Sequence, residues 1–472
     1  MFGFPVELAE VCAEVRAYVP HDLLHPLQVS RTEYLVPVLG DENQMDMQDE
    51  DTVSASAYVP VLAHETNYAL GVQLRYNYRL YPSPGQRDAL ARAFGCARVV
   101  FNDALRARQE AYAAGRPYIT DAVLSARLTA SKATPERAWL GEVSAVVLQQ
   151  SLTDLNAAYR NFFASVTGKR KGPKIEPPRF KSRKDPRQAV RFTANARFRV
   201  VASGKLRLPK IGDVPVRWSR PLPSEPSSVT VIQDSAGRYF ASFVIETEPV
   251  TLPETGPMIG IDLGLTHFAV LSDGRKITAP QFLRQAEKKL RRAQRRLSRK
   301  EKGSRNRDKA RVKAARAHAQ VADARREFHH QLSTRLIRDN QAVAVEDLAV
   351  NALGRTGMAK SVHDAGWASF VGMLEYKARL YRRGFHRIGR FEPTSQVCSA
   401  CGAKDGPKPL HVRAWQCRPC RAWLDRDINA AVNVAKAAGL AVTACGAQVR
   451  PGLAPAQRGE AGTHPTSHRK AA

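Results

Sequence analysis

Two paired-cysteine motifs late in the chain constrain its folding more than any other feature. Cys398 and Cys401 form one C-x2-C pair, Cys417 and Cys420 form another, and 15 residues separate the pairs. Two such knuckles suit four thiolates around one tetrahedral ion, and the gap fits a short hairpin carrying Trp415. Four sulfur ligands leave no open coordination position, so a Zn2+ ion held here is expected to be structural. His411, between the pairs, reads as a surface residue. Cys12, Cys96 and Cys445 are isolated. The N-terminus has no basic start followed by an apolar h-region, and no apolar run reaches the ~18 residues of a membrane span. The cysteines therefore read as a metal site rather than a disulfide framework. The expected location is the cytoplasm, in association with the nucleoid, with no membrane partner.

Charge narrows the class of partner. The 472 residues carry a net +29, unevenly placed. Residues 1–70 hold 12 Asp or Glu against only Arg16 and Arg31, a net −10, so the remainder carries +39. A body this basic points to polyanions, nucleic acid first. At 43% hydrophobic residues the chain has material for true cores, and its length suits two to four domains.

Residues 1–70 read as an acidic extension expected to be poorly ordered: GDENQMDMQDEDTVSASA has no helical or strand period, while flanking pieces such as LQVSRTEYLVPVLG fit short strands. The body begins near Gly71, where Tyr76, Tyr78 and Leu80 alternate with Asn77, Arg79 and Tyr81 as in a strand. Pro82 and Pro84 stop it. Residues 85–165 read as helices, with Leu90, Phe94, Ala97, Val100, Phe101 and Leu105 at helical spacing. A basic loop follows at 168–187. Five short alternating runs between 189 and 247, bounded by Gly, Pro, Asn and Ser, then predict a β-barrel or β-rich unit. The strand at 74–80 can join it, which makes the helical block an insertion.

At 257 the pattern changes to strand, Gly turn, strand, Asp-Gly hairpin turn, strand. Leu283, Ala286, Leu290, Ala293 and Leu297 keep a 3-4 spacing, and Gly303-Ser304 breaks the run. This predicts an antiparallel helical hairpin over 281–338 with Lys- and Arg-rich outer faces. A buried strand ends at Glu346-Asp347, a helix and a strand follow, and after the cysteines LDRDINAAVNVAKAAG reads as a polar turn leading into a helix. Residues 443–472 are rich in Pro, Gly and Ala and read as a disordered tail.

Three acids stand where strands or turns end: Asp262 after MIGI, Glu346 after AVAV, and Asp427 before the last helix. Metal-dependent phosphodiester hydrolysis needs such groups, because two Mg2+ ions about 4 Å apart are held by hard carboxylate oxygens. Asp347 and Asp425 are close rivals. On the 342–347 strand, Ala342, Ala344 and Glu346 share one face, which favours Glu346; Asp427 is favoured for abutting the helix, where it can also serve as its N-cap. GIDLG also opens actin-like and sugar-kinase ATPases, but the further Gly-rich nucleotide motifs those need are missing.

Two basic clusters are candidate phosphate contacts. Lys169, Arg170, Lys171, Lys174, Arg179, Lys181, Arg183 and Lys184 form one; Arg291, Arg292, Arg295, Arg296, Arg299 and Lys300 form the other. Both would give salt-dependent, sequence-independent affinity. Tyr76, Tyr78 and Tyr81 offer stacking faces, though tyrosines at strand spacing commonly pack a sheet.

Taken in order, these residues resemble the TnpB family over roughly 72–440. The resemblance rests on LRYNYRLYPSPGQ, FGCARVVFNDAL, PRFKSRKD, GIDLGLTHFAVLSDG, VAVEDLAV, EPTSQVCSACGAKD and DRDINAAVNVAKAAG. The family's first acid follows a Gly-x pair, its second lies in ED and its third precedes x-N-A-A, which map onto Asp262, Glu346 and Asp427. Its zinc ligands map onto Cys398, Cys401, Cys417 and Cys420. The resemblance implies a multidomain α/β chain. A β-barrel wedge domain (71–84 and 166–253) would carry a helical recognition insertion (85–165). An RNase H-like (RuvC) domain (254–394 and 424–442) would carry the helical hairpin and a zinc-ribbon insertion (395–423).

The implied function is that of a transposon-encoded, RNA-guided, Mg2+- or Mn2+-dependent DNA endonuclease. Its implied partners are a guide RNA from the transposon end, double-stranded target DNA and a partner transposase. The alternatives are a nuclease-inactive RNA-guided DNA-binding regulator and an accessory DNA-binding factor for that transposase. Two departures stand out. Residues 1–70 have no counterpart, and RAWLDRD stands where a His often precedes DRD in relatives.

Overall fold

The computed structural model describes residues 71–170, 172–409 and 411–440. The acidic extension, Lys171 and the tail lie outside them. The chain divides into two units, one ending at Thr247 and the other beginning at Glu248.

The first unit opens with β1 (Val72–Leu80), which buries Tyr78 and Leu80. Ser83 then caps α1 (Pro84–Ala113): its hydroxyl accepts from the Gln86 N–H, and the Gln86 side chain accepts from the Ser83 N–H. Pro84 at the first helical position has its φ already set for a helix. All six residues picked out by helical spacing on α1 are buried. α2 (Asp121–Ala133) and α3 (Ala145–Val166) follow.

The remaining strands are β2 (Gln188–Thr193), β3 (Arg199–Val200), β4 (Leu206–Leu208), β5 (Gly212–Val214), β6 (Val216–Arg217), β7 (Ser228–Gln233) and β8 (Tyr239–Thr247). They form two antiparallel sheets, ordered β2-β7-β8-β1-β6 and β3-β4-β5. This differs from a closed barrel: among the described residues no ladder joins the two sheets. Pro209, Gly212 and Pro215 cut β4, β5 and β6 to two or three residues, too short to carry a continuous ladder. β1 does join the sheet, pairing with β8 from Val72↔Thr247 to Leu80↔Tyr239. The helical block and the sheets share one core, in which Leu90, Phe94 and Leu148 belong to the same cluster as Phe192, Val231 and Phe243.

The second unit is built on a mixed sheet. Its strands are β9 (Met258–Asp262), β10 (His267–Leu271), β11 (Lys276–Thr278), β12 (Ala342–Glu346) and β13 (Gly384–Ile388), in the order β11-β10-β9-β12-β13. The first three pair antiparallel; β12 pairs parallel to both β9 and β13. Parallel neighbours need long crossovers. The first of these contains α4 (Phe282–Ser298) and α5 (Arg305–Asp339), the expected hairpin. Of its five spaced apolar residues only Leu290 is fully buried, against Ala317 and Val321. The hairpin is tied to the core by Asp364, a buried carboxylate that accepts from the Leu283 and Arg284 N–H groups at the start of α4. The second crossover holds α6 (Val350–Leu353), α7 (Ala359–Ala365) and α8 (Trp367–Leu380). Of these only α8 is expected from the sequence.

β14 (Ala414–Gln416) and β15 (Trp423–Asp425) form a small hairpin that leads directly into α9 (Arg426–Ala437). Trp415 sits on it, but the hairpin flanks the second cysteine pair instead of lying between the pairs. It therefore extends to Asp425, past the expected end of the cysteine segment at 423. No described helix is long and apolar enough to cross a membrane.

Candidate functional site

β9 and β12 bring the first two acids together. Ile261 pairs with Val345 in the parallel register, so Asp262 and Glu346 are the next residues on adjacent strands. Ala342 and Ala344, on the Glu346 face of β12, pack against Val434 and Ala435 of α9, while Val343 and Val345 enter the opposite core. α9 lies directly on β9. A Cβ at Gly260 would stand 2.1 Å from the Ala431 carbonyl oxygen and 2.6 Å from the Ala435 nitrogen, so only glycine allows this approach. The contact sets the first turn of α9 over the end of β9, and Asp427 is in that turn. Asp262, Glu346 and Asp427 thus line one cleft of about 490 Å³ with Arg413 and Arg426.

The rival acids have other work. Asp347 is paired to Arg390 at 2.8 Å. Asp425, not Asp427, is the N-cap of α9: its carboxylate accepts from the N–H groups of Asp427 and Ile428 at 3.1 Å each. It also pairs with Lys276. Asp427 is left facing the cleft, 3.5 Å from the Arg413 guanidinium. The His267 Nδ1 lies 3.9 Å from the Asp427 carboxylate, buried and without a hydrogen-bond partner among the described residues.

Crowded carboxylates resist ionisation. Desolvation, then the charges of Asp427 and Glu346, push the Asp262 carboxyl up to about 7, against a partial offset from Arg426. Desolvation and the Asp347 charge raise Glu346 above the usual carboxylate range. Hard oxygens with excess negative charge suit a divalent cation such as Mg2+ or Mn2+, whose binding would relieve the repulsion.

The four cysteines form a tighter cluster. Among the described residues they are the only group of three or more His, Cys, Asp or Glu whose ligand atoms all lie within 4.8 Å of one another. The Cys398 and Cys420 sulfurs are 3.7 Å apart, as are those of Cys401 and Cys417. Zinc–sulfur bonds of about 2.3 Å place tetrahedral ligands roughly 3.8 Å apart, so the donor set fits zinc. A backbone hydrogen bond involving Ala422 leads the causes that lower the Cys420 thiol to about 7. The knuckles share one geometry: the Cys398 N–H donates to Ala403, and the Cys417 N–H to Ala422. Gly402 and Arg421 both take positive φ after the second cysteine of each pair. His411 is exposed and outside the cluster.

Two asparagines missing from the expected site bolt the cysteine segment to α9. Asn429 and Asn433 donate to the carbonyls of Thr394 and Val397. Asn429 also accepts from the Ser399 N–H. The repeated Asn in INAAVN was the available signal. Arg413, Arg426 and His267 carried none.

The basic clusters are at the surface. Lys169, Arg170, Lys174, Arg179, Lys181, Arg183 and Lys184 are exposed on the first unit. Arg179 pairs with Glu176, and the Lys181 ammonium lies over the Phe101 ring. On α4, Arg291, Arg292, Arg295 and Arg296 are exposed, with Arg291 paired to Glu287. Tyr78 packs on Trp218 and Phe243 inside the core, which removes it as a stacking face.

A family model described as "Probable transposase" matches residues 242–356. A Streptomyces pristinaespiralis protein named "Putative RNA-guided DNA endonuclease" is 43% identical over 384 residues, 80% of this chain and 92% of that protein. The chain belongs to the TnpB family. A further TnpB-like relative, from Escherichia coli K12 and named "Putative RNA-guided DNA endonuclease InsQ", is 33% identical over 80% of this chain and 95% of its own length. A model described as "Cas12f1-like, TNB domain" matches residues 367–434, which span the cysteine cluster and Asp427. Another, described as "Helix-turn-helix domain", matches 72–117, where the structure has β1 followed by the single helix α1. A solved Cas12f1–sgRNA–target DNA complex aligns with a TM-score of 0.47 and 12% identity, over 77% of this chain and 98% of that one.

Proposed function

We propose that this TnpB-family chain is an RNA-guided, divalent-metal-dependent DNA endonuclease with one RuvC-type site formed by Asp262, Glu346 and Asp427. The observation that carries the reading is the convergence of these acids, from β9, β12 and α9, on one cleft. The names of its relatives supply the guided chemistry.

Asp262 and Glu346 sit on strand ends and Asp427 on a capped helix turn, so all three carboxylates have rigid supports for Mg2+ or Mn2+. When bound, the ions supply an activated water and neutralise charge on the attacking and leaving oxygens. Arg413 and Arg426 place guanidinium groups where a scissile phosphate would enter. Lys276 and the start of α9 hold the Asp425 carboxylate, leaving the cleft to Asp427. The expected products are a 5′-phosphate and a 3′-hydroxyl. Cys398, Cys401, Cys417 and Cys420 serve as a zinc ribbon that fixes the segment beside the cleft. The paired sheets of the first unit serve as the wedge, and α1 to α3 as the recognition insertion. Guide RNA and target DNA would engage the two basic clusters. All three acid positions are filled, which tells against the nuclease-inactive alternative.

The test is to sequence RNA that co-purifies with the full chain, then offer a plasmid matching it. A discrete RNA and Mg2+-dependent cutting of the matched plasmid support the reading. Absence of any discrete RNA, or a matched plasmid left intact, contradicts it.

A further inference from the structure

The segment between β13 and the first cysteine pair carries an aromatic side chain that neither the core nor the metal sites use. Phe391 is 94% exposed; the next most exposed large hydrophobic among the described residues, Tyr81, reaches 52%. Single exposed hydrophobics are ordinary. This one lines the same cleft as Asp262, Glu346 and Asp427.

The backbone around it is anchored on both sides. The Arg390 guanidinium donates to the Asp347 carboxylate at 2.8 Å and to the Asp347 carbonyl at 3.3 Å. Four residues further on, the Thr394 carbonyl accepts from both Asn429 and Asn433. Inside this span the Thr394 N–H bonds the Glu392 carbonyl and the Glu392 N–H bonds that of Gly389. A fixed loop that presents an aromatic ring to water beside a cluster of acids and arginines is built to receive something flat and apolar that arrives with a phosphate.

We propose that Phe391 is a stacking platform for an unpaired nucleobase next to the phosphate held in the cleft, and so positions the strand to be cut. The inference rests on the nuclease reading given above. Stacking on an aromatic face tolerates any base, which suits an enzyme whose target choice is made by base pairing with a guide. Arg413 and Arg426 line the same cleft and supply positive charge for the strand's phosphates.

The test uses the full chain with its co-purified RNA and matched duplex DNA, under single-turnover conditions. Phe391→Ala is expected to slow cleavage about tenfold with an unchanged melting temperature, because the ring is not packed. Phe391→Trp is expected to restore most of the rate and Phe391→Leu little of it. A series of duplexes with one abasic nucleotide moved across the cut position separates stacking from structure. With the unmodified protein, one or two positions beside the cut should slow cleavage; with Phe391→Ala those positions should lose their effect. Cleavage by Phe391→Ala at the unmodified rate, or an abasic profile identical for the two proteins, overturns the proposal alone. No cleavage by the unmodified protein overturns the nuclease reading and this inference with it.

Discussion

Asn429 and Asn433, one helical turn apart on α9, each donate a side-chain amide to the same two carbonyls, those of Thr394 and Val397. Residues four apart share a helix face, and here both amides are buried against a segment that leaves the sheet after β13. The helix that carries Asp427 is thereby locked to the loop that carries Phe391 and to the first cysteine knuckle. Geometry at the cleft depends on this lock.

Replacing Asn433 with Ala leaves both carbonyls served by Asn429 alone. A loss of about 1–2 kcal/mol is expected, and the double alanine variant should lose more than the sum of the singles, because both carbonyls, of which that of Thr394 is buried, then lose their side-chain donors. Denaturant unfolding of the four proteins in the cycle measures this.

Gly260→Ala puts a methyl group into the α9 backbone, where no side chain can move aside. A destabilisation of about 3 kcal/mol, at the upper end of overpacking costs, is expected, with impaired cleavage because α9 carries Asp427. Gly256→Ala, whose added Cβ meets nothing within 4 Å, is the control and should leave the melting temperature unchanged.

The Asp262 carboxyl gives the metal-free protein a pH signature. Its folded-state value is about 7 against 3.8 for the ordinary group, so between these values the folded chain holds a proton that the unfolded chain has lost. Its contribution is therefore fully present below about pH 4 and is lost as pH rises through about 7. Asp262→Asn should flatten this fall relative to the unmodified protein, and excess Mg2+ should oppose it by binding the ionised site. Thermal melts between pH 4 and pH 8, with and without Mg2+, read both effects.

One zinc ion per chain is expected, released by strong chelators faster at low pH, because the ligands are thiolates. Its removal should cost stability, and Cys417→Ser should reproduce much of that loss, since Cys417 is buried in the cluster with Trp415. Colorimetric zinc release alongside a melt tests the stoichiometry and the coupling.

Periodic and spacing signals made much of this legible. The apolar ladder of α1, the alternation in β1 and the strand face of Glu346 are local patterns that packing follows. Non-local features left no such trace. The clash that demands Gly260 is set by Ala431 and Ala435, about 170 residues away in sequence. The same holds for the tie from Asp364 to α4, a side-chain-to-backbone bond with no period. Of the β-barrel or β-rich unit expected from five short runs, the structure has the second, two sheets in which Pro and Gly interrupt β4 to β6 and whose core α1 to α3 share.

The most direct measurement is Mg2+-dependent cleavage of guide-matched DNA by a panel of isosteric amides. Asp262→Asn, Glu346→Gln and Asp427→Asn should each reduce the rate by at least about a thousandfold while still binding the matched duplex. Asp347→Asn and Asp425→Asn, whose carboxylates are held by Arg390 and by the start of α9, should retain cleavage within about tenfold. Full activity in any of the first three, or loss confined to Asp347→Asn or Asp425→Asn, would contradict the assignment of the site.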